Sequence, residues 1–164
     1  MATIEVEVVS LKEVPMDDAA AFDKEHRSVV LIVDDERIIA DTLTMILGKS
    51  GYQVMTAYEG KTALKLACAT APDLLLTDIA MPGMTGVELA IEVREMIPSC
   101  KVLLFSGHAS AQDALEEARN MGHNFNLLSK PVHPSDMLRR VSECLAFPEA
   151  VGANLPASFS HAAQ

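Results

Sequence analysis

Asp34 and Asp35 stand side by side, Asp78 closes Leu76-Thr77-Asp78, Ser106 precedes Gly107, and Lys130 precedes Pro131. Each of these polar positions lies at or just beyond the end of a short, mostly apolar run. Three carboxylates brought together repel one another unless a cation or a proton joins them. Mg2+ suits such a site, because it takes a few carboxylate oxygens, keeps several waters and binds phosphate oxygens. Ser106 would add a hydroxyl donor and Lys130 a point positive charge for an anionic group. An Asp so equipped can attack a phosphoryl group and form an aspartyl phosphate. Metal and ammonium would offset charge on the equatorial oxygens during transfer.

Taken singly, each residue has a plainer role. Asp35 could cap a helix starting near Glu36, and Asp78, ahead of Ile79-Ala80-Met81-Pro82-Gly83, could shape a turn. Ser106 could be an ordinary loop residue and Lys130 a solvated charge. The functional reading rests on four separate loops supplying mutually compatible chemistry.

The elements that would position these residues alternate regularly. Val29–Val33 is a continuous apolar run, as expected for a strand covered on both faces. Glu36 to Lys49 carries Ile39, Leu43, Ile46 and Leu47 at helical spacing and stops before Ser50-Gly51. Gln53–Ala57 reads as a second strand, Lys61–Cys68 as a helix with Ala63, Leu64 and Ala67 inward, and Leu74–Thr77 as a third strand. Thr85 with Glu88 forms a capping-box pattern. Lys101–Phe105 is a fourth strand. Ser110 caps a further helix that ends at Gly122, Asn126–Leu128 is a short fifth strand, and Ser135 caps a last helix. Five strands, each followed by a helix, specify an α/β fold. The expected form is a flavodoxin-like doubly wound parallel sheet, order 2-1-3-4-5, with helices on both faces. Ligands in such sheets bind beyond the carboxyl ends of the strands, which is where the five polar residues fall.

Composition narrows the class. The chain has 164 residues, 49% hydrophobic and 22% charged, with a formal net charge of -10, enough for one well-cored domain. That charge argues against direct nucleic-acid binding, which needs clustered Lys and Arg. Cys68, Cys100 and Cys144 form no CxxC pair, which fits reduced, buried thiols in a cytoplasmic protein. No stretch reaches the ~20 apolar residues of a membrane span. Residues 1–27 read as an N-terminal extension, either a mobile tail or a short strand through Ile4, Val6 and Val8. Residues 28–147 form the folded domain, and 148–164 read as a disordered tail.

The runs Val29-Val30-Leu31-Ile32-Val33-Asp34-Asp35-Glu36, Thr77-Asp78-Ile79-Ala80-Met81-Pro82-Gly83-Met84-Thr85-Gly86, Phe105-Ser106-Gly107 and Leu128-Ser129-Lys130-Pro131-Val132 resemble the motifs of a two-component response-regulator receiver domain. The resemblance covers about residues 28–147. It implies phosphorylation of Asp78 with Mg2+ as cofactor, and a sensor histidine kinase or a histidine phosphotransfer protein as partner. By the same resemblance Asp35, Asp78 and the backbone carbonyl of Ala80 bind the metal, with Asp34 acting through a coordinated water. Ser106 and Lys130 would engage the phosphoryl oxygens, and Pro131 would follow a cis peptide bond. The helices Ser110–Met121 and Pro134–Leu145 would form the face for partners or a homodimer.

Some positions depart from the family pattern. Leu127 stands where receivers often carry a switching Tyr or Phe, and Phe125, two residues earlier, is either its replacement or a core residue. Ala80 leaves space above Asp78, and His108 is either close to the site or a solvated loop residue. His26, His123, His133 and His161 form no ligand-like group. Only about seventeen residues follow Phe147, so the expected type is a stand-alone receiver signalling through protein binding. An intermediate passing the phosphoryl group to a histidine phosphotransfer protein is the alternative. An Asp-nucleophile phosphatase fits less well, because Asp78-Ile79-Ala80 lacks a second acid to protonate a leaving group.

Overall fold

A computed structural model of the chain describes residues 27–109 and 111–146. Five strands alternate with five helices: β1 (Val29–Val33), α1 (Arg37–Lys49), β2 (Gln53–Ala57), α2 (Gly60–Thr70), β3 (Leu74–Asp78), α3 (Gly86–Met96), β4 (Lys101–Ser106), α4 (Ala111–Asn120), β5 (Asn126–Ser129) and α5 (Pro134–Ala146). The strands form one sheet in the order β2-β1-β3-β4-β5, and every pairing is parallel. The sheet order is the one expected from the alternation of elements. The expectations for residues 1–26, for Ser110 as a cap and for the stretch after Ala146 lie outside the described residues.

Strand periodicity divides the core in two. Leu31, Val33, Leu75, Val102 and Leu104 face one way and pack with Ala63, Ala67, Val87, Leu89, Val93, Leu115 and Ala118, which lie on α2, α3 and α4. Val30, Ile32, Leu74, Leu76, Leu103 and Phe105 face the other way, against Ala40, Leu43 and Leu47 of α1 and Met137 and Val141 of α5. Both faces are covered, which is why β1, β3 and β4 read as unbroken apolar runs rather than alternating ones.

Local signals place the helix ends. After α1, Gly51 has φ 96, the Gly51 N–H donates to the Gly48 carbonyl and the Tyr52 N–H to the Leu47 carbonyl. After α4, Gly122 has φ 90, its N–H donates to the Arg119 carbonyl and the His123 N–H to the Ala118 carbonyl. Both are Schellman closures, in which glycine takes the left-handed position. Thr85 and Glu88 form the reciprocal capping box of α3.

Two expectations change, and one plainer alternative falls away. Ser135 lies inside α5 rather than at its cap; His133 takes that place, its Nδ1 accepting from the Ser135 N–H at 3.3 Å and its carbonyl from the Asp136 and Met137 N–H groups. Asp35 makes no cap: α1 has Glu36 at that position without a side-chain cap bond, and it is Asp34 whose Oδ1 accepts from the Glu36 N–H at 2.9 Å. The thiols are not uniformly buried. Cys100 is, but Cys144 is only half-buried and Cys68 is exposed. In α2 the inward stripe of Ala63 and Ala67 turns the next position outward, and Cys68 Sγ lies 3.4 Å from Met96 Sδ at the surface.

One glycine is fixed by a close approach between a helix and the end of β3. A Cβ on Gly86 would overlap the Asp78 carbonyl oxygen and lie 2.7 Å from the Asp78 carbonyl carbon, while the Gly86 N–H donates to the Ile79 carbonyl at 3.0 Å. Gly86→Ala is expected to destabilise the fold by about 2–4 kcal/mol. Thr85→Ala, which removes only the cap, should cost about 1 kcal/mol. Denaturant unfolding of both variants measures the difference; equal losses would mean that Gly86 acts only as a helix residue.

Candidate functional site

Sheet order brings the polar residues together. β1, β3, β4 and β5 are successive neighbours, so Asp34 just after β1, Asp78 at the end of β3, Ser106 at the end of β4 and Lys130 just after β5 share one rim. The register is close there: Asp78 lies opposite Phe105 and Ser106 opposite Ser129. The Ile79 N–H donates to the Phe105 carbonyl at 3.2 Å, and the Lys130 N–H to the Ser106 carbonyl at 2.9 Å. These bonds carry the ladder one residue beyond the strands and hold the rim residues to their neighbours.

Asp34, Asp35 and Asp78 form one carboxylate cluster, with a ligand oxygen from each lying within 4.8 Å of the others. Asp34 and Asp78 are buried, whereas Asp35 is exposed. Lys130 Nζ reaches between the buried pair, 3.3 Å from Asp34 Oδ2 and 3.5 Å from Asp78 Oδ1. Asp34 has both oxygens engaged, Oδ1 by the Glu36 N–H and Oδ2 by Lys130. Asp78 Oδ1 also accepts from the Ile79 N–H at 3.0 Å.

Burial raises both buried carboxyls above the ordinary Asp value. For Asp34 the loss of water outweighs the Glu36 N–H and the Lys130 ammonium, and the Asp78 charge adds to the rise. For Asp78 the loss of water likewise outweighs Lys130 and the Ile79 N–H, with the Asp35 charge adding to the rise. Three carboxylates against one ammonium leave two negative charges when all are ionised. A divalent cation would balance that excess, and an all-oxygen donor set suits Mg2+. The residues present therefore fit a hard divalent cation.

Ser106 is buried, and its Oγ accepts from the His108 N–H at 3.2 Å; the His108 side chain is exposed. Ala80 lies exposed in the loop between β3 and α3. The Lys130–Pro131 peptide is cis, as the resemblance implied. Leu127 sits in β5, and Phe125 lies one residue before that strand; both pack, partly buried, against the core on the α2–α3–α4 side. The Phe125 ring stacks on His123 at 5.8 Å. Among the described histidines, His108, His123 and His133 do not join the carboxylate cluster.

Two features of the site carry no polar signal in the sequence. Phe105 lies directly beneath Lys130, whose Nζ is 4.6 Å from the ring centroid. Beside them Ile38, Ile39, Leu43, Ile46 and Met137 wall an apolar groove of about 530 Å³ that Lys130 and Pro131 also line. Hydrophobic periodicity marks these residues as core or helix face; only the strand register turns Phe105 toward the ammonium.

Comparison with known proteins agrees with this geometry. The model of the response regulator receiver domain matches residues 30–142. A response regulator receiver protein of Anaeromyxobacter sp. is 45% identical over 102 residues, which cover 62% of this chain and 42% of that relative; the chain thus spans less than half of that protein. An uncharacterized 14.6 kDa protein of Leptolyngbya boryana is 36% identical over 125 residues, 73% of this chain and 92% of the relative. Among solved structures, a CheY-like receiver domain protein of Methanospirillum hungatei superposes with a TM-score of 0.69 at 31% identity, covering 74% of this chain and 95% of that one. The chemotaxis protein CheY4 of Vibrio cholerae gives 0.66 at 30% identity, covering 73% and 100%. Sheet order, rim chemistry and these matches agree: the chain belongs to the response regulator receiver domain family of two-component signalling systems.

Proposed function

We propose that the protein is a phosphoacceptor switch, phosphorylated on Asp78 in a Mg2+-dependent reaction and signalling through protein–protein binding. The observation that carries this reading is the burial of Asp78 beside Asp34, with Lys130 Nζ within 3.5 Å of its carboxylate. Asp34, Asp35 and Asp78, with the Ala80 carbonyl, would hold the cation, which when bound supplies positive charge to the phosphoryl oxygens.

The chain's own residues perform the rest. The free oxygen of Asp78 bonds to phosphorus as the bond from phosphorus to the donor's leaving group breaks. The Ile79 N–H, donating to Oδ1, fixes one oxygen of the carboxylate and leaves the other for the attack. Lys130 exchanges part of its pairing with the carboxylates for the incoming oxyanion, and the Ser106 hydroxyl donates a hydrogen bond to another phosphoryl oxygen. The domain thus assists its own phosphorylation and dephosphorylation without turning over a separate substrate. The phosphodonor is a sensor histidine kinase or a histidine phosphotransfer protein, and the downstream partner or a second copy docks on α4 and α5. Ser106, Leu127 and Phe125 are the residues that relay the change from the rim toward that face. A cytoplasmic setting accompanies this reading, since no disulfide joins Cys68, Cys100 and Cys144.

Incubation with acetyl phosphate and Mg2+ should add one phosphoryl group through an acid-stable, base-labile bond, read by intact mass. Asp78→Asn should take up none; uptake at the wild-type rate by that variant would end the proposal. Mg2+ at about 100 times its Kd should stabilise the protein by ~2.7 kcal/mol. Asp35→Ala should weaken that affinity about 10-fold or more, measured by calorimetric titration.

The raised carboxyls give a pH signature in metal-free buffer. A carboxyl whose folded value is raised contributes stability that is fully present below its unfolded value of about 3.9 and is lost as pH rises through the folded value. Asp34→Asn, which keeps an acceptor for the Glu36 N–H, should therefore melt a few degrees above the wild type near neutral pH. The gain should vanish once the buffer is acidic enough to protonate Asp34. A variant less stable than wild type at neutral pH would show that the Lys130 pairing outweighs burial.

A further inference from the structure

We infer that Phe105 is a positioning residue for Lys130, a neutral aromatic floor that keeps the ammonium at the rim when its carboxylate partners are otherwise engaged. The inference deepens the phosphoacceptor reading and rests on it for the role of Lys130. Phe105 is buried, 1% exposed, and ends the aliphatic run Val102-Leu103-Leu104 of β4. Its register partner is Asp78, and paired residues of neighbouring strands share a face. The ring and the phosphoacceptor are therefore set side by side by the sheet itself. Lys130 Nζ is 4.6 Å from the ring centroid, within the range for attraction between an ammonium and a π face.

The ammonium is thus held from two directions: by Asp34 at 3.3 Å and Asp78 at 3.5 Å, and by the ring. These two holds respond differently to loading. Once the carboxylates share their charge with a divalent cation, their pull on Lys130 falls and a like charge stands nearby. The ring carries no net charge and keeps its attraction. With only 22% of its side chain exposed, Lys130 lies against a low-dielectric floor where such a contact is stronger than in water. The groove on the α1 side offers a displaced lysine chain an apolar wall and no counter-ion among its lining residues. An aliphatic residue at position 105 would fill the core but leave the ammonium without a seat between cation binding and phosphoryl arrival.

The test uses the full chain with Mg2+ and acetyl phosphate. Phe105→Leu is expected to lower the rate of phosphate uptake about tenfold while leaving Mg2+ affinity unchanged, because no carboxylate is altered. Phe105→Tyr, which restores an aromatic face, should recover most of the rate. NMR of the lysine ε-methylene groups in Mg2+-loaded protein supplies a readout independent of phosphorylation. The Lys130 signal should be shifted upfield by the ring in the wild type and in Phe105→Tyr, and should return to the ordinary lysine position in Phe105→Leu. A Phe105→Leu protein that takes up phosphate at the wild-type rate, or a Lys130 signal that shows no ring shift in the wild type, would overturn the inference. So would equal losses of rate and Mg2+ affinity, which mark a general disturbance. A wild type that takes up no phosphate but shows the shifted lysine would instead sink the phosphoacceptor reading and leave the aromatic seat standing.

Discussion

Two carboxylates buried at one edge of the sheet, with a single ammonium between them, are the constraint on which the rest of the molecule depends. Taking Asp34 and Asp78 out of water opposes their ionisation, and the interior tolerates them only because Lys130, two backbone N–H groups and the rim geometry share the cost. Burial and the neighbouring carboxylates thus oppose full ionisation of the rim. A positively charged group at the rim would relieve that opposition. The surrounding fold supplies stiffness. β1, β3 and β4 are buried along nearly their whole length, and the two cores flanking them leave the strand ends little freedom to move apart.

Much of this was legible in the order of residues. The unbroken apolar runs ending in Asp34 and Asp78 announced buried parallel strands, and the alternation with helical stripes led to the sheet order that brings four loops together. Thr85 with Glu88, and the glycines at positions 51 and 122, are local devices whose chemistry is complete within a few residues, so their signals survive without knowledge of the fold. The family motifs added the cis bond before Pro131, a feature that no periodicity encodes.

The parts that were not legible are those in which identity mattered less than direction. Asp34 and Asp35 are chemically alike and adjacent, yet one is buried and bonded to the start of α1 while its neighbour is exposed; strand parity at the end of β1 makes that choice. Cys68 follows helix phase rather than the general tendency of thiols to be buried. His133 takes a cap position where a hydroxyl at Ser135 was the better chemical guess, because α5 begins two residues earlier than a Ser135 cap implies, at Pro134, a residue well suited to a first turn. Phe105 looked like the last residue of a core strand; β4 runs one residue further, to Ser106, and Phe105 packs in the core. That its ring also lies under Lys130 depends on where β5 ends relative to β4, a relation between segments more than twenty residues apart.

The position of β5 gives the site an uneven rigidity. This strand has four residues, a single hydrogen-bonded neighbour and only partial burial, at its two middle positions, whereas the strand bearing Asp78 is sandwiched between two others. Edge elements of this kind open at lower free energy than central ones. The acidic half of the rim is therefore built on the part of the molecule that opens last, and the basic half on a part that opens early. Amide exchange would then read the two halves as separate cooperative units, with the strand that leads into Lys130 coming and going against a fixed acidic anvil.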